Sequence, residues 1–237
     1  MKTNRQLGTW LSIGSPVIAE LAALCGFDWV LLDLEHGCGP EATIPDQLRA
    51  LRGSSTRGIV RVGAPHADLI ARLLDWGAHG LMVPHVNSAA EAEAIVQAAS
   101  YPPRGRRGVS RTVRTHEFGL RSMEAAPAVT LIAQIETQQA VENAADIARV
   151  DGIDVLFVGP ADLQHDLKLQ SDTDADSFER CLSRVVVAAK QAGKAAGLLI
   201  RDPSELPRRV QEGFTYLAIQ SDLALLRDAF RTIVQGR

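Results

Sequence analysis

The sequence predicts an α/β fold in which residues 1–237 form a single (β/α)8-barrel domain. Eight short apolar runs, rich in β-branched residues, alternate with longer segments of helical periodicity. Most of these runs lack strict polar–apolar alternation, as expected of parallel strands that are covered on both faces. The length leaves about 30 residues for each strand–helix unit, which suits a compact closed barrel.

The predicted strands and helices follow one another along the whole chain. The strands are residues 9–13, 29–33, 58–62, 80–83, 130–135, 154–158, 196–200 and 216–219. The clearest helical segments are residues 16–25, 67–76, 89–100, 140–149, 177–192 and 203–212. Four of them end at a glycine suited to a left-handed C-cap, namely Gly26, Gly77, Gly193 and Gly213. An open doubly wound sheet is the alternative, but no Gly-x-Gly-x-x-Gly sequence follows the first strand.

Composition and charge exclude several classes of function. The formal net charge is −3 and the isoelectric point is about 6.1, so no overall basic charge favours nucleic acid or an anionic membrane. No apolar run approaches the ~18 residues of a membrane span. Residues 1–6 are polar and no signal-peptide core follows them. Three widely spaced cysteines indicate reduced thiols, so we expect a cytoplasmic protein.

Polar residues with catalytic potential follow four of the predicted strands. The active site of a barrel lies at the C-terminal ends of its strands, so these positions share one face. The residues are Asp33, Glu35 and His36 after the second strand, Arg61 on the third, Glu136 after the fifth and Asp162 after the sixth. This face therefore combines a histidine, an arginine and several carboxylates.

Glu136 and Asp162 are candidate metal ligands. Two carboxylates that converge at a barrel mouth repel one another unless a cation or a proton lies between them. An all-oxygen site with room for water and substrate suits Mg²⁺ or Mn²⁺. The alternative is that each carboxylate forms an ordinary salt bridge or helix cap, and Asp162 lies where an acidic residue favours a helix start. Position alone does not decide between the two.

Asp33, His36 and Arg61 are candidate catalytic residues. An aspartate near a histidine can orient the imidazole and raise its basicity, although a surface loop with one structural histidine would show the same residues. Arg61 lies inside an apolar strand, where an unpaired charge is unfavourable. It could bind a substrate carboxylate or stabilise an oxyanion, or it could form an internal salt bridge.

The segment Gly159-Pro160-Ala161-Asp162 is a candidate anion site. Free backbone N–H groups of Ala161 and Asp162 at a helix start would bind a carboxylate. The alternative is a plain turn, because Gly-Pro is common at turns.

A long connection over residues 100–127 interrupts the strand–helix alternation and indicates a functional loop. It carries Arg104, Arg106, Arg107, Arg111 and Arg114. These arginines could bind an anionic substrate or nucleic acid, but an exposed or subunit-contacting loop is the more common explanation.

Several motifs, taken in order, resemble those of the HpcH/HpaI family, the class II pyruvate aldolases. The resemblance extends from about Gly8 to Ala229. It rests on residues 26–37 (GFDWVLLDLEHG), 74–78 (LDWGA), 82–84 (MVP), 101–103 (YPP), 105–108 (GRRG), 133–137 (AQIET) and 157–163 (FVGPADL).

The resemblance implies a metal-dependent aldolase that reversibly cleaves 4-hydroxy-2-oxo acids to pyruvate and an aldehyde. It implies that Glu136 and Asp162 bind Mg²⁺, Mn²⁺ or Co²⁺. It also implies that His36 acts as a base together with Asp33, and that Arg61 stabilises the developing negative charge. The expected substrate-binding residues are Trp10, Gln134, Gly159, Pro160, Ala161 and Asp162.

The resemblance further implies assembly and some divergence. Family members are commonly hexamers, trimers of dimers, with exchanged C-terminal helices, and Asp75 would reach the site of a neighbouring subunit. Gln220 stands where the family usually has glycine, so aldehyde specificity is the property that transfers least. A citryl- or malyl-thioester lyase of the same superfamily and a non-catalytic barrel that serves as a binding module are the competing interpretations.

Overall fold

The computed structural model describes residues 5–124, 128–170 and 175–236, and it confirms the predicted barrel. Eight parallel strands pair in chain order, and β8 pairs with β1 to close the barrel. The strands are β1 Gln6–Leu11, β2 Trp29–Asp33, β3 Arg57–Arg61, β4 Gly80–Val83, β5 Thr130–Ile135, β6 Val155–Val158, β7 Ala195–Ile200 and β8 Tyr216–Ser221.

Helices surround the barrel and connect its strands. They are α1 Pro16–Leu24, α2 Ile44–Ala50, α3 Ala67–Asp75, α4 Ala89–Ala99, α5 Gln138–Glu142, α6 Ala144–Arg149, α7 Pro160–Leu169, α8 Ala175–Gln191, α9 Leu206–Gln211 and α10 Asp222–Gln235. The predicted helix 140–149 is divided into α5 and α6 at Asn143, whose side-chain amide donates to the Asn87 carbonyl at 2.7 Å. All four glycines predicted to end helices have positive φ, which confirms the expected C-caps.

The first strand begins earlier than the sequence predicted. It spans Gln6–Leu11 rather than residues 9–13, and Gly8 lies inside it, paired with Trp29. A Cβ atom at Gly8 would lie 2.2 Å from the Trp29 ring. Glycine is therefore required there because the indole occupies the space of a side chain, whereas glycine in a sequence usually indicates a turn.

Two apolar layers hold the barrel together. Inward-facing side chains fill its interior, where Trp29 stacks on Tyr216 with ring centroids 4.4 Å apart and contacts Phe157 edge-on. Outward-facing strand residues pack under the helices in a second, larger cluster. Because side chains alternate along a strand, every second residue points into the barrel. This alternation determines which residues reach the mouth.

A buried carboxylate joins the start of α10 to the residues that follow β1. Asp222, 5% exposed, accepts backbone N–H bonds from Ser12 at 2.9 Å and Ile13 at 3.0 Å. Its helix, α10, packs against β1 and β8. Six apolar side chains of α10 are nevertheless exposed: Leu223, Leu225, Leu226, Phe230, Ile233 and Val234. None of the helices within the described ranges is both long and apolar enough to cross a membrane.

Candidate active site

The alternation of the strands brings the predicted site residues together at the barrel mouth. Interior residues of β2, β3 and β5 are followed two positions later by Asp33, Arg61 and Gln134. All three are almost completely buried. Their side chains form a polar layer above the aromatic interior, at the C-terminal ends of the strands.

Arg61 lies at the centre of this layer in a network of ion pairs. Its Nε and Nη2 donate to the two Asp33 oxygens at 2.9 and 2.7 Å, and Nη1 lies 2.7 Å from Glu35 Oε2. The guanidinium also stacks over Trp10 at 5.3 Å from the ring centroid. The structure thus contains the internal salt bridge that the sequence left as an alternative for Arg61. Trp10 lies beneath this guanidinium, at the bottom of the barrel mouth.

Asp33 does not contact the ring of His36 in the way that the sequence suggested. Its carboxylate accepts from Arg61 and from the backbone N–H groups of Glu35 and His36 at 3.1 and 3.3 Å. The His36 ring is exposed, and no hydrogen bond to it is found among the described residues. In this structure the Asp33 carboxylate therefore binds Arg61 and the backbone of the turn and not the imidazole, because the facing arginine on β3 occupies it.

The protonation of Asp33 is controlled by the same pair. Burial would raise the pKa of this carboxyl, but the hydrogen bonds and charge of Arg61 outweigh burial, and the backbone amides add to their effect. The pKa of Asp33 is consequently below its usual value. Asp33 therefore stays ionised and keeps Arg61 in place.

Glu136 is a buried carboxylate in a region of negative charge. It is 2% exposed and accepts from the Gln134 side-chain amide at 2.5 Å and from the His85 backbone N–H at 2.7 Å. Burial raises its pKa, and the nearby charges of Asp162 and Glu35 raise it further, while His85 acts in the opposite direction. The carboxylates of Asp162 and Glu35 thus lie close to that of Glu136, an arrangement that a cation would stabilise.

His85 is a site residue that the sequence reasoning missed. It follows β4 directly, has a left-handed φ of 54°, and places Nδ1 2.9 Å and Nε2 3.8 Å from the carboxylates of Glu136 and Glu35. A non-glycine residue in this conformation is uncommon and often marks a functional site. The signal was present in the sequence, since His85 follows a strand end just as His36 does.

Asp162 lies in the first turn of α7, directly after β6. The N–H groups of Ala161 and Asp162 have no intrahelical acceptor at this position. Pro160 begins the helix, and the preceding position requires glycine, because a Cβ atom at Gly159 would lie 2.7 Å from Glu136 Oε2 and 2.9 Å from Gln134 Nε2. The structure thus places the predicted anion site beside the buried carboxylate.

The residues at this position fit a hard divalent cation. Glu136 and Asp162 supply carboxylate oxygens, and the buried Gln134 Oε1 has no hydrogen-bond partner in the structure. Within the described ranges, no cluster of three or more His, Cys, Asp or Glu side chains is arranged to hold a metal. A site with two protein carboxylates leaves positions for water and substrate, as Mg²⁺ usually does.

Asp75 lies away from the mouth of its own barrel. It is the last residue of α3, at the end where the N-termini of the strands lie. Its carboxylate is 2.6 Å from Nη2 of Arg107, whose guanidinium stacks over Tyr101 at 4.5 Å. Arg107 is buried, so it does not share the exposed character expected of the basic loop. Within one subunit, Asp75 does not join the other predicted site residues.

Gln220 has a backbone conformation that glycine adopts more easily than other residues do. It lies near the end of β8 with a φ of 53°, in the left-handed region that favours glycine. This places an amide side chain beside the mouth at a position where glycine would contribute none.

Comparison with known proteins agrees with this geometry. Residues 6–229 match the family described as HpcH/HpaI aldolase/citrate lyase. The chain belongs to this family. A 5-keto-4-deoxy-D-glucarate aldolase of Klebsiella pneumoniae is 36% identical over 234 residues, which are 98% of this chain and 91% of the relative. Aldolases of this kind among the relatives identify the protein as an aldolase-type carbon–carbon lyase.

Solved structures of the HpcH/HpaI family share the fold over almost the whole chain. A family protein from Burkholderia cenocepacia is 34% identical with a TM-score of 0.92, covering 98% of this chain and 94% of the other. The citrate synthase SbnG is 28% identical with a TM-score of 0.86, covering 98% and 92%. The barrel therefore matches relatives that make or break carbon–carbon bonds.

Replacement of Asp33 by asparagine is predicted to destabilise the fold in a pH-dependent manner. The substitution leaves Arg61 with a weakened partner in a buried position and should cost about 3 kcal/mol at pH 7. Because the folded-state pKa of Asp33 is lowered, its contribution is present above the unfolded pKa of about 3.9 and is lost as the pH falls through the folded value. Urea unfolding between pH 7 and pH 3 should show the stability gap between wild type and variant closing below about pH 4.

Asp46→Asn is the matched control for this test. Asp46 pairs with Arg49 on the exposed face of α2, where a salt bridge contributes at most about 1 kcal/mol. A gap for Asp33→Asn as small as that of the control, or one that widens in acid, would contradict the buried ion pair.

Proposed function

We propose that this lyase reversibly cleaves 4-hydroxy-2-oxo acids to pyruvate and an aldehyde, with a divalent cation held by Glu136 and Asp162. The observation that carries the proposal is the placement of these two carboxylates on neighbouring strand ends, beside the free amides at the start of α7. Mg²⁺, Mn²⁺ and Co²⁺ are the cations that we propose. Bound there, such a cation would supply Lewis-acid stabilisation of negative charge on the 2-oxo acid.

The chain's own groups would bind the 2-oxo-acid half of the substrate. The N–H groups of Ala161 and Asp162 can donate to the carboxylate, because the start of a helix favours an anion. The buried Oε1 of Gln134 has no hydrogen-bond partner among the described residues, and it can accept from a water molecule or a substrate hydroxyl. Trp10 closes the bottom of the site and excludes water beneath the reacting carbons.

His36 is the group that we propose for proton transfer. Its exposed imidazole would take the proton from the C4 hydroxyl oxygen during cleavage and return it during condensation. Asp33 contributes indirectly, because its bonds to the backbone amides of the turn hold the residues before His36. Arg61 places its charge beside the C2 oxygen while it keeps the two carboxylates of its network.

The relatives suggest a diacid as the substrate. The Klebsiella relative is named for 5-keto-4-deoxy-D-glucarate, a six-carbon 2-oxo diacid. Cleavage of such a compound between C3 and C4 gives pyruvate and 2-hydroxy-3-oxopropanoate. We propose substrates of this class for the present protein.

Metal removal is predicted to abolish pyruvate release. Incubation with a chelator should stop cleavage of 4-hydroxy-2-oxo acids, and Mg²⁺, Mn²⁺ or Co²⁺ should restore it. Titration of Mn²⁺, followed by calorimetry, should show that Glu136→Gln weakens cation binding by at least about tenfold. The measurements are a coupled pyruvate assay and the dissociation constant for Mn²⁺.

Glu142→Gln is the control, because Glu142 lies on the exposed side of the helix that follows β5. It should bind Mn²⁺ as wild type does. Full activity of the metal-stripped protein, or equal Mn²⁺ affinity of the two variants, would rule out the assignment. Cleavage of acyl-CoA substrates instead of 4-hydroxy-2-oxo acids would favour the thioester-lyase alternative, and no cleavage of either would favour a binding module.

We also propose a homo-hexamer, a trimer of dimers, in which C-terminal helices are exchanged. The exposed apolar side chains of α10 support this, because a contiguous apolar face on a single subunit marks an interaction surface. Val17, Leu21 and Leu24 on α1 are also exposed.

The exposed Cys25 and Cys38 are compatible with the cytoplasmic location that we propose.

A charge on the apolar face of α10 is predicted to break the assembly. Phe230 is 63% exposed in the single subunit, and Phe230→Glu would place a carboxylate in the proposed interface. Light scattering should then give a smaller particle mass than for wild type. Arg231→Glu, one residue away on the same helix, should keep the wild-type mass. A wild-type protein that is already monomeric, or an unchanged mass for Phe230→Glu, would contradict the interface.

We propose that Asp75 contributes to the active site of a neighbouring subunit. Its distance from the mouth of its own barrel and its position near the buried Arg107 and Tyr101 support a role at a contact between subunits. A shared site makes each active centre depend on two chains.

Complementation tests this arrangement. Asp75→Asn and Arg61→Lys should each lose most activity, the second because an ammonium does not replace a planar guanidinium. After subunit exchange, random mixing of equal amounts places both intact residues in about a quarter of the sites. Pyruvate assays should therefore recover about a quarter of wild-type activity. No recovery, after energy transfer between labelled subunits has confirmed exchange, would indicate self-contained sites.

A further inference from the structure

Arg201 extends the inward-facing side of β7 beyond the end of the strand. Ala195, Gly197 and Leu199 alternate toward the barrel interior, and the next residue with this spacing is Arg201. The β7–β8 register pairs Ile200 with Ile219, so Arg201 follows one register position later, beside Gln220. The two strand ends therefore carry neighbouring polar side chains at the mouth.

Arg201 differs from the other arginines of the β7–β8 connection because its guanidinium forms no ion pair with a described residue. Arg208 is paired with Glu179 and Glu212 at 2.9 and 2.7 Å. Arg209 is buried and binds three carboxylates within 3.0 Å, those of Glu179, Glu205 and Glu212. Over the described ranges, the structure records no ion pair or hydrogen bond for the Arg201 guanidinium, which is exposed.

Arg201 lines a cavity of about 320 Å³ together with residues at the start of α7 and residues of α8 and α9. Pro160, Ala161 and Gln164 line one side of it, and Leu199 and Arg201 line another. Its acidic residues, Glu179 and Glu205, both pair with Arg209, which lines the cavity as well. The adjacent Asp202 uses its carboxylate to accept the Ser204 backbone N–H at 2.9 Å. Among the described charged residues that line this cavity, Arg201 is therefore the one whose charge has no recorded partner.

The barrel mouth needs such a cation if its substrate carries two carboxylates. Arg61 directs Nε, Nη1 and Nη2 to Asp33 and Glu35, so its positive charge is already balanced by two carboxylates. The amides at the start of α7 serve the first carboxylate. A distal carboxylate near Glu136 and Asp162 would be repelled, whereas one directed toward β7 would meet an unpaired guanidinium.

We propose that Arg201 binds the distal carboxylate of a 2-oxo diacid, and so selects substrates whose aldehyde half is an acid. The proposal rests on the function proposed above and adds the residue that recognises the acidic half of the substrate. The bound group is the carboxylate at the end of the chain remote from the 2-oxo group. The Gln220 amide, on the neighbouring strand end, is placed to donate a second hydrogen bond to it.

Binding of two unreactive 2-oxo acids tests the role of Arg201 without turnover. 2-Oxoadipate and 2-oxohexanoate have the same chain length and differ only in the terminal carboxylate or methyl group. Neither has a 4-hydroxyl group, so neither can undergo aldol cleavage. Calorimetric titration of the full-length protein with Mg²⁺ present should show about tenfold tighter binding of the diacid. Arg201→Gln should lose that preference, and Arg201→Lys should keep part of it.

Arg52→Gln is the matched control for the loss of a positive charge. Arg52 is exposed, and it lies in a different cavity, beside Leu51 and His79 at the N-terminal end of the barrel. The control should keep the wild-type preference for 2-oxoadipate. Equal affinities of wild type for the two acids, or a preference that survives in Arg201→Gln, would overturn the proposal.

Condensation assays separate this inference from the proposed function. Wild type should condense pyruvate with both 2-hydroxy-3-oxopropanoate and glyceraldehyde. The first aldehyde carries a carboxylate where the second carries a hydroxymethyl group. Arg201→Gln should lower kcat/KM about tenfold for the acid and leave glyceraldehyde unchanged. An equal loss for both aldehydes would overturn the role of Arg201 while the aldolase function stands. Absence of condensation by wild type would overturn the function, and the binding preference would still decide the carboxylate site.

Discussion

The guanidinium of Arg61 is the cation on which the arrangement of the barrel mouth depends. Asp33 and Glu35 both direct their carboxylates at it, and Asp33 also accepts the amides of the turn that follows β2. A buried pair of this kind stabilises the fold only when hydrogen bonds satisfy both partners, and here they do. The pair therefore fixes more than two side chains. It joins β2 to β3, shapes the turn that carries His36, and sets the charge that a substrate meets.

The sequence predicted the strands that carry the site better than the contacts between the site residues. Glu136 and Asp162 follow consecutive strands of a barrel, and consecutive strands are neighbours, so their proximity follows from the fold class. The partner of Asp33 was predicted incorrectly, because proximity in sequence favoured His36. The register of β2 and β3 places Asp33 directly opposite Arg61, and a charged neighbour across a buried sheet attracts a carboxylate more strongly than an exposed imidazole does.

Other features of the mouth depend on backbone conformations that the sequence pattern does not predict. His85 and Gln220 both adopt the left-handed backbone conformation, which costs a residue with a side chain of order 1 kcal/mol. Residue propensities disfavour a left-handed φ at histidine and glutamine. The conformation is therefore seen only in the structure. In each case the strained backbone lies directly at or near a strand end and aims a polar side chain at the mouth. Asp75 is a different case. It is the last residue of α3, and α3 runs antiparallel to the strands, so Asp75 lies at the end of the barrel opposite the mouth.

Electrostatics links the binding of the cation to the binding of the substrate. Asp33 and Glu35 pair with Arg61, Glu136 lies near the carboxylates of Glu35 and Asp162, and burial raises the cost of every uncompensated charge among them. An anionic 2-oxo acid would add to this excess of negative charge and would be repelled by the protein alone. A divalent cation at the proposed site between Glu136 and Asp162 would reduce that repulsion. Cation and substrate would then each strengthen the binding of the other, as reciprocal coupling requires. The same reasoning explains why Arg61 alone is not enough: its donors hold the mouth together, so the charge of the substrate must be met by other groups.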